Sequence, residues 1–381
     1  MAYSFENDRI GYVVDLSKLK TYSYEIGSIR PPSEGGSSSL LIRVTRNCPW
    51  NKCTFCYGFP YNRERFQLRS IEEIKADVNA AKAISNEIGA LSWKLGYAGK
   101  IEPLAEVLQN NLFNSYNLAI DSNLHCIVNV FNWLCSGGKT VFLQDADTLI
   151  MRTPQLLEVI DNLRETFPSI ERITSYARAK TIYRKKPEEL SQLRQAGLSR
   201  LHIGLETGDD DLLSYVNKGV TAEEHIVAGK KAIEAGFELS EYIMPGLGGR
   251  SKWVQHAQNT ARVLNEINPH FIRSRPFVPM YNTPMFEAYR KGEFELTSQH
   301  ERLREIKLMI ENLRVTCRFC FDHSRNPSYR LGNRFIPLLK QDYSGYKFPE
   351  EKQVVLDLII KGLEIDEKAF ISVSDMIGAL S

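Results

Sequence analysis

The chain has 381 residues, 43% of them apolar and 25% charged, the balance of a folded globular protein rather than a disordered or fibrous one. A net charge of +2 leaves no basic footprint for nucleic acid or an anionic membrane surface, and no apolar run reaches membrane-span or signal-peptide length. A cytoplasmic address follows as the expectation, with no membrane association and no evident nucleic-acid module, and in that reducing compartment seven cysteines are expected to be free, catalytic or metal-bound.

In chain order, an N-terminal arm (1–38) leads into PPSEGGSSS at 31–39, a composition that predicts flexibility. SLLIRVT (39–45) then reads as a buried strand, and RVTRNCPWNKCTFCYGF (43–59) crowds Cys48, Cys53 and Cys56 into nine residues at its end. Ser70 and Glu73 form a capping box ahead of a helix whose Ile71, Ile74, Val78, Ala81 and Ile88 share a face. Residues 89–138 form a folded insertion before the next strand.

Five more strand–helix units follow. TVFLQ (140–144) precedes a helix entered at Thr153-Pro154, and RITSY (172–176) precedes one from Pro187 that stops at Gly197. RLHIGLE (200–206) leads to a helix opened by Thr221 and Glu224, and ELSEYIM (238–244) to one over Ser251–Ile267. FIRSRPF (271–277) leads to one opened by Ser298 and Glu301. Strands joined by crossover helices pair in parallel, and right-handed crossovers curl the sheet. The expected fold is therefore α/β, a partial (β/α)6 barrel over 39–315 with an extension over 316–381. In such a barrel the chemistry gathers at the C-terminal strand ends, where the cysteine segment lies.

Three close thiols suit a zinc site or an iron–sulfur site. Structural zinc usually takes four protein ligands, and only Cys53 and Cys56 have pair spacing. Three thiolates on a [4Fe–4S] cube leave one iron open to a substrate or cofactor. The cysteine segment, Phe55 before its last cysteine, its place after the first strand and the six units together resemble the radical S-adenosylmethionine (radical SAM) superfamily. The first gap is four residues here, Pro49 to Lys52, where the family usually has three.

The resemblance implies an enzyme, an oxidoreductase, transferase or lyase, with Cys48, Cys53 and Cys56 on a [4Fe–4S] cluster and S-adenosyl-L-methionine (SAM) on the open iron. An electron from a donor such as ferredoxin or flavodoxin would cleave SAM to a 5′-deoxyadenosyl radical, which abstracts hydrogen from a substrate that the sequence does not identify. It also implies SAM contacts from Phe55, from Asp145 and Asp147 toward the methionine ammonium, from Ser175 and Arg178 toward its carboxylate, and from Glu206 toward the ribose or amino group. Helix-entry or loop polarity is the plainer reading of both aspartates.

The turn MPGLGG (244–249) could admit adenine or simply turn the chain, and Arg273 and Arg275 share one side of the sixth strand, toward substrate or in a packed salt bridge. Cys317, Asp322 and His323 are the catalytic candidates of the extension, with helix capping as the alternative. Cys126, Cys135, Cys317 and Cys320 read as free thiols rather than a second metal site. A non-catalytic iron–sulfur or zinc protein for electron transfer or scaffolding is the alternative function. A count of three ligands rather than four favours the enzyme.

Overall fold

A computed structural model of the chain describes residues 15–27, 38–56, 65–111 and 122–378; positions 31–37 of the stretch predicted flexible fall outside the described residues. Strand β1 (Leu40–Arg43) runs into β2 (Thr45–Arg46), which pairs antiparallel with β3 (Gln67–Leu68) beyond the cysteine segment. Helix α1 (Ile71–Lys94) starts at the predicted box: Ser70 Oγ accepts from the Glu73 amide and the Glu73 carboxylate accepts from the Ser70 amide. Two amides that a helix start leaves bare are thereby satisfied. The predicted insertion holds the end of α1, then α2 (Leu104–Asn111) and α3 (Ser122–Cys135); α3 packs on α1 and β1.

The next strands are β4 (Thr140–Gln144), β5 (Arg172–Ala177), β6 (Leu198–Glu206), β7 (Glu238–Ile243) and β8 (Phe271–Ser274), each parallel to its predecessor in a sheet that begins with β1. Their crossovers carry α4 (Thr153–Thr166), α5 (Ala179–Arg184), α6 (Pro187–Ala196), α7 (Asp210–Tyr215), α8 (Ala222–Glu234), α9 (Gly249–Ile267), α10 (Pro284–Arg290) and α11 (Gln299–Asn312). The expected α/β class and its parallel sheet are therefore present. Apolar side chains of β1, β4 and the other parallel strands pack with those of the surrounding helices into one large core.

The parallel order continues one strand beyond the six units. Strand β9 (Cys317–Cys320) adds in parallel to β8; a hairpin of β10 (Ser328–Leu331) and β11 (Arg334–Pro337) follows, and β12 (Tyr346–Phe348) pairs antiparallel with β9 at the sheet edge. Helix α12 (Lys352–Glu364) then packs on α11, and α13 (Val373–Gly378) ends the described chain.

Inside the barrel, four strands contribute one ring each to a tier. Phe142 and Tyr176 meet edge-on with centroids 5.3 Å apart, and His202 lies 5.6 Å from both Tyr176 and Tyr242. Edge and offset contacts of this kind satisfy the ring quadrupoles. The tier floors a cavity that opens at the C-terminal strand ends.

Candidate active site

The cavity measures about 380 Å³. Cys48, Cys53 and Cys56 line it from the loop after β1, Arg178 from the end of β5, Glu206 from the end of β6, and Lys218 from the loop after α7. The cysteine loop is held by named bonds. Asn47, in the left-handed region at φ 60°, turns its side chain to accept from the Cys48 amide at 2.7 Å. The Thr54 amide donates to the Val216 carbonyl at 3.0 Å, and the Thr54 carbonyl accepts from the Met285 amide at 3.1 Å.

Trp50, in the four-residue gap, docks on the same loop that carries Lys218. Its Nε1–H donates to the Asn217 carbonyl at 2.7 Å, and the Arg178 guanidinium lies over its ring at 5.2 Å. Gly219 has φ +72°, and a Cβ there would stand 2.5 Å from the indole, so no larger residue fits beneath Trp50.

Lys218 is half-buried, with its ammonium 2.8 Å from Glu206 Oε1 and 5.6 Å from the Phe55 ring centroid. Burial opposes its charge, yet Glu206 and Cys53 beside it hold its pKa above the ordinary value. Burial pushes the Cys53 thiol up against the pull of Lys218, and burial with the two neighbouring thiols pushes Cys56 up to about 12. Arg178 donates to the Lys218 carbonyl at 2.9 Å. Gly204 keeps the space open, since a Cβ there would run into the Glu206 carboxylate and sit 3.0 Å from Lys218 Nζ.

Glu206 itself has φ +62°, a conformation that costs a non-glycine residue roughly 1–3 kcal/mol. Its carbonyl accepts from the Met244 amide at 3.0 Å and lies 3.2 Å from His256 Nε2. His256 Nδ1 lies 2.6 Å from Glu305 Oε1, and Glu305 Oε2 accepts from the Gly246 amide at 2.8 Å. The MPGLGG turn is thus braced from α9 and α11.

The structure brings Phe55, Arg178 and Glu206 to the cavity with the three cysteines, and it leaves other sequence candidates outside the lining. Asp145 is buried in an ion pair with Arg43 at 2.7 Å and accepts from the Asn47 amide at 3.3 Å, so it seats the start of the cysteine loop instead of facing the cavity. Asp147 is buried beneath α5, where it accepts from Thr181 Oγ1 at 2.6 Å and from the Arg178 amide at 3.1 Å. Burial raises its pKa to about 6 despite those bonds. Ser175 is buried too, and its hydroxyl donates to the Tyr176 carbonyl at 2.9 Å.

The extension's candidates Cys317, Asp322 and His323 also lie outside the cavity lining. Cys317 and Cys320 are three apart on a strand, so they project to opposite faces and cannot grip one metal. Cys317 joins the outer core; Cys320 contacts the Tyr343 carbonyl at 3.5 Å. Asp322 pairs with Arg273 at 2.5 Å, the packed salt bridge that was one reading of that arginine. Burial, together with Arg275 and Arg325, drives the His323 pKa down to about 3, and its Nδ1 accepts from the Arg325 amide at 3.2 Å. Cys126 bonds the Tyr24 backbone, tying segment 15–27 to α3. Sequence reasoning missed Lys218, Trp50 and the His256–Glu305 pair; Asn217-Lys218-Gly219, a turn-forming triplet, carried a signal for the first.

The chain is thus an α/β protein with a parallel sheet, in which three cysteines, five basic side chains and one glutamate line a cavity at the C-terminal strand ends. Residues 127–259, a central segment that starts after the cysteine loop, match the family model "Radical SAM superfamily". The chain is similar to the heme chaperone HemW of Bacillus subtilis (strain 168), 24% identical over 177 residues, 46% of each chain. It is also similar to a tRNA uridine(34) acetyltransferase of Methanocaldococcus jannaschii, 22% identical over 120 residues, 31% of this chain and 22% of that protein. The chain thus spans less than half the length of these relatives. Among solved structures it aligns with methylornithine synthase (PylB) at 15% identity, over 86% of this chain and 72% of that one, with a TM-score of 0.43.

Proposed function

We propose that this chain is a radical SAM enzyme in which Cys48, Cys53 and Cys56 hold a [4Fe–4S] cluster and Arg178, Glu206 and Lys218 receive SAM. The observation that carries the reading is the sharing of one cavity by the three thiols and this charged trio. The donor set fits a cube better than a single ion. Three thiolates can hold three irons of a cube and leave the fourth open, whereas a structural zinc usually takes four protein ligands.

When bound and reduced by a donor such as ferredoxin or flavodoxin, the cluster supplies the electron that splits SAM into methionine and the hydrogen-abstracting 5′-deoxyadenosyl radical. The chain's own residues do the rest. Arg178 offers a planar fork to the methionine carboxylate, and its stacking on Trp50 fixes the direction of that fork. Glu206 accepts from the ribose hydroxyls or the amino group, and Lys218 balances both the acid and the nearby thiolates. Phe55, Tyr242 and Met244 wall the cavity with apolar surface and restrict water. No helix among the described residues is long and apolar enough to cross a membrane.

The test is anaerobic reconstitution followed by dithionite reduction with SAM. The expected result is about four irons per chain, with 5′-deoxyadenosine and methionine formed even without substrate, and both lost in Cys53→Ala. Intact SAM beside a loaded, reducible cluster would overturn the enzyme reading and favour an electron carrier.

A further inference from the structure

The turn that carries Glu206 is built more tightly than a strand end needs. The β6–β7 register slips between Gly204 and Glu206, which makes Leu205 an extra residue, and the Thr207 amide donates back to the Leu205 carbonyl at 2.8 Å. Glu206 is thus the central residue of a three-residue turn at φ +62°, a rare and strained form. Bulges beside functional sites re-aim a side chain, and strained backbone persists only where its surroundings over-determine it.

Those surroundings come from one face of α9. His256, Asn259 and Thr260 are spaced i, i+3 and i+4, which places their side chains together on a helix. His256 Nε2 donates to the Glu206 carbonyl at 3.2 Å, Thr260 Oγ1 accepts from the Gly208 amide at 3.0 Å, and Asn259 Nδ2 donates to the Asp209 carboxylate at 2.6 Å. His256 and Thr260 are fully buried. Gly208 lets the turn lie this close, since a Cβ there would stand 2.3 Å from the Asn259 carbonyl oxygen. The His256 ring is fixed at its other nitrogen, Nδ1, by Glu305 at 2.6 Å.

We infer that this face of α9 is a template for the cofactor site, with His256 a positioning residue that aims the Glu206 carboxylate without itself touching the cofactor. The inference rests on the enzyme reading above and adds to it the residue that sets the direction of one of its contacts. The Glu206 carbonyl is held by two donors, the Met244 amide at 3.0 Å and His256, and its carboxylate is received by Lys218 at 2.8 Å. Loss of the His256 donor frees the strained backbone to relax toward an ordinary strand conformation, which swings the side chain away from that geometry. The cysteine loop is anchored elsewhere, at the Val216 and Asn217 carbonyls, so the thiols keep their places. A purely structural His–Glu pair would instead affect stability alike whether or not residue 206 carries a carboxylate.

The experiment measures iron content and SAM affinity by equilibrium dialysis on the reconstituted full chain, in a double-mutant cycle with Glu206→Ala. His256→Asn keeps an amide near the Nδ1 position for Glu305 and removes the donor to the Glu206 carbonyl; it should weaken SAM about tenfold at unchanged iron content. His256→Gln places an N–H near the Nε2 position and should recover most of that affinity. In the Glu206→Ala background, His256→Asn should change affinity by no more than about twofold, because no carboxylate is left to position. Thr260→Val takes the acceptor from the Gly208 amide and should show the same dependence on Glu206; it decides the case if His256→Asn loses iron. Losses that multiply in the double variant, or a His256→Asn chain that binds SAM as the parent does, overturn the inference. SAM bound but left intact on reduction overturns the enzyme reading alone, since affinity decides the positioning role; a parent chain with no affinity for SAM overturns both.

Discussion

Asp147 separates a cofactor ligand from a buried structural acid, and the two roles give different pH behaviour. Its carboxyl is fully buried, accepts only from Thr181 Oγ1 and the Arg178 amide among the bonds described, and has its pKa raised by burial from 3.8 to about 6. The native state therefore holds this proton more tightly than the unfolded chain. Its favourable contribution is complete below the unfolded value and is lost as pH rises through about 6. A shift of that size corresponds to about 3 kcal/mol in all, of which about 2 kcal/mol falls between pH 4.5 and 7.5.

Asp147→Asn removes the ionisation while keeping a carbonyl for the Arg178 amide. Relative to the parent, the variant should therefore gain about 2 kcal/mol as pH rises from 4.5 to 7.5, read as the difference in urea unfolding of cluster-free protein at the two pH values. Its SAM affinity at pH 7.5 should stay within about threefold of the parent, because no charged contact to the cofactor is lost. A pH-independent difference would refute the buried, proton-holding carboxyl, and a SAM affinity lower by tenfold or more would restore the ammonium-binding role.

The remaining predictions concern the cysteines and the braces of the cavity. Cys317→Ser with Cys320→Ser should leave iron content at about four per chain, since the two thiols lie on opposite faces of β9; a drop measured by iron assay would reassign them as ligands. Trp50→Ala should keep the iron but weaken SAM about tenfold in equilibrium binding, because Arg178 loses its stacking surface and Asn217 a donor. His256→Ala should lower unfolding stability by about 2–4 kcal/mol, as Glu305 is left buried without its closest partner. An unchanged urea midpoint would show that the brace carries no energy.

Much of the fold was readable because the local signals agree with the tertiary demands. TVFLQ is β4 residue for residue, an apolar run buried along almost its whole length, and the capping boxes at Ser70, Thr221 and Ser298 all form as the spacing requires. Strand β9 was not readable, since four residues, one of them a charged arginine, are too short a pattern to mark a strand. At the site, chain position located the loops but not the side-chain directions. Asp145 and Asp147 lie at a strand end, where either could turn to the cavity or the core; a buried Arg43 captures one and the start of α5 the other. Lys218 escaped notice because its partner, Glu206, is twelve positions away across a helix.

That separation explains how the two halves of the candidate site keep register. The chain from 206 to 219 begins with a strained glutamate and ends under an indole. At its start, the left-handed backbone of Glu206 is fixed by Met244 and His256, which aims the carboxylate toward Lys218 instead of along the strand. At its end, Asn217 and Gly219 receive Trp50 from the cysteine loop, and Val216 takes the Thr54 amide of that same loop. The three thiols and the charged trio are thus referenced to one short stretch of backbone, and a shift in either anchor moves both. The four-residue gap between Cys48 and Cys53 then has a physical use: it holds the indole that reaches this stretch.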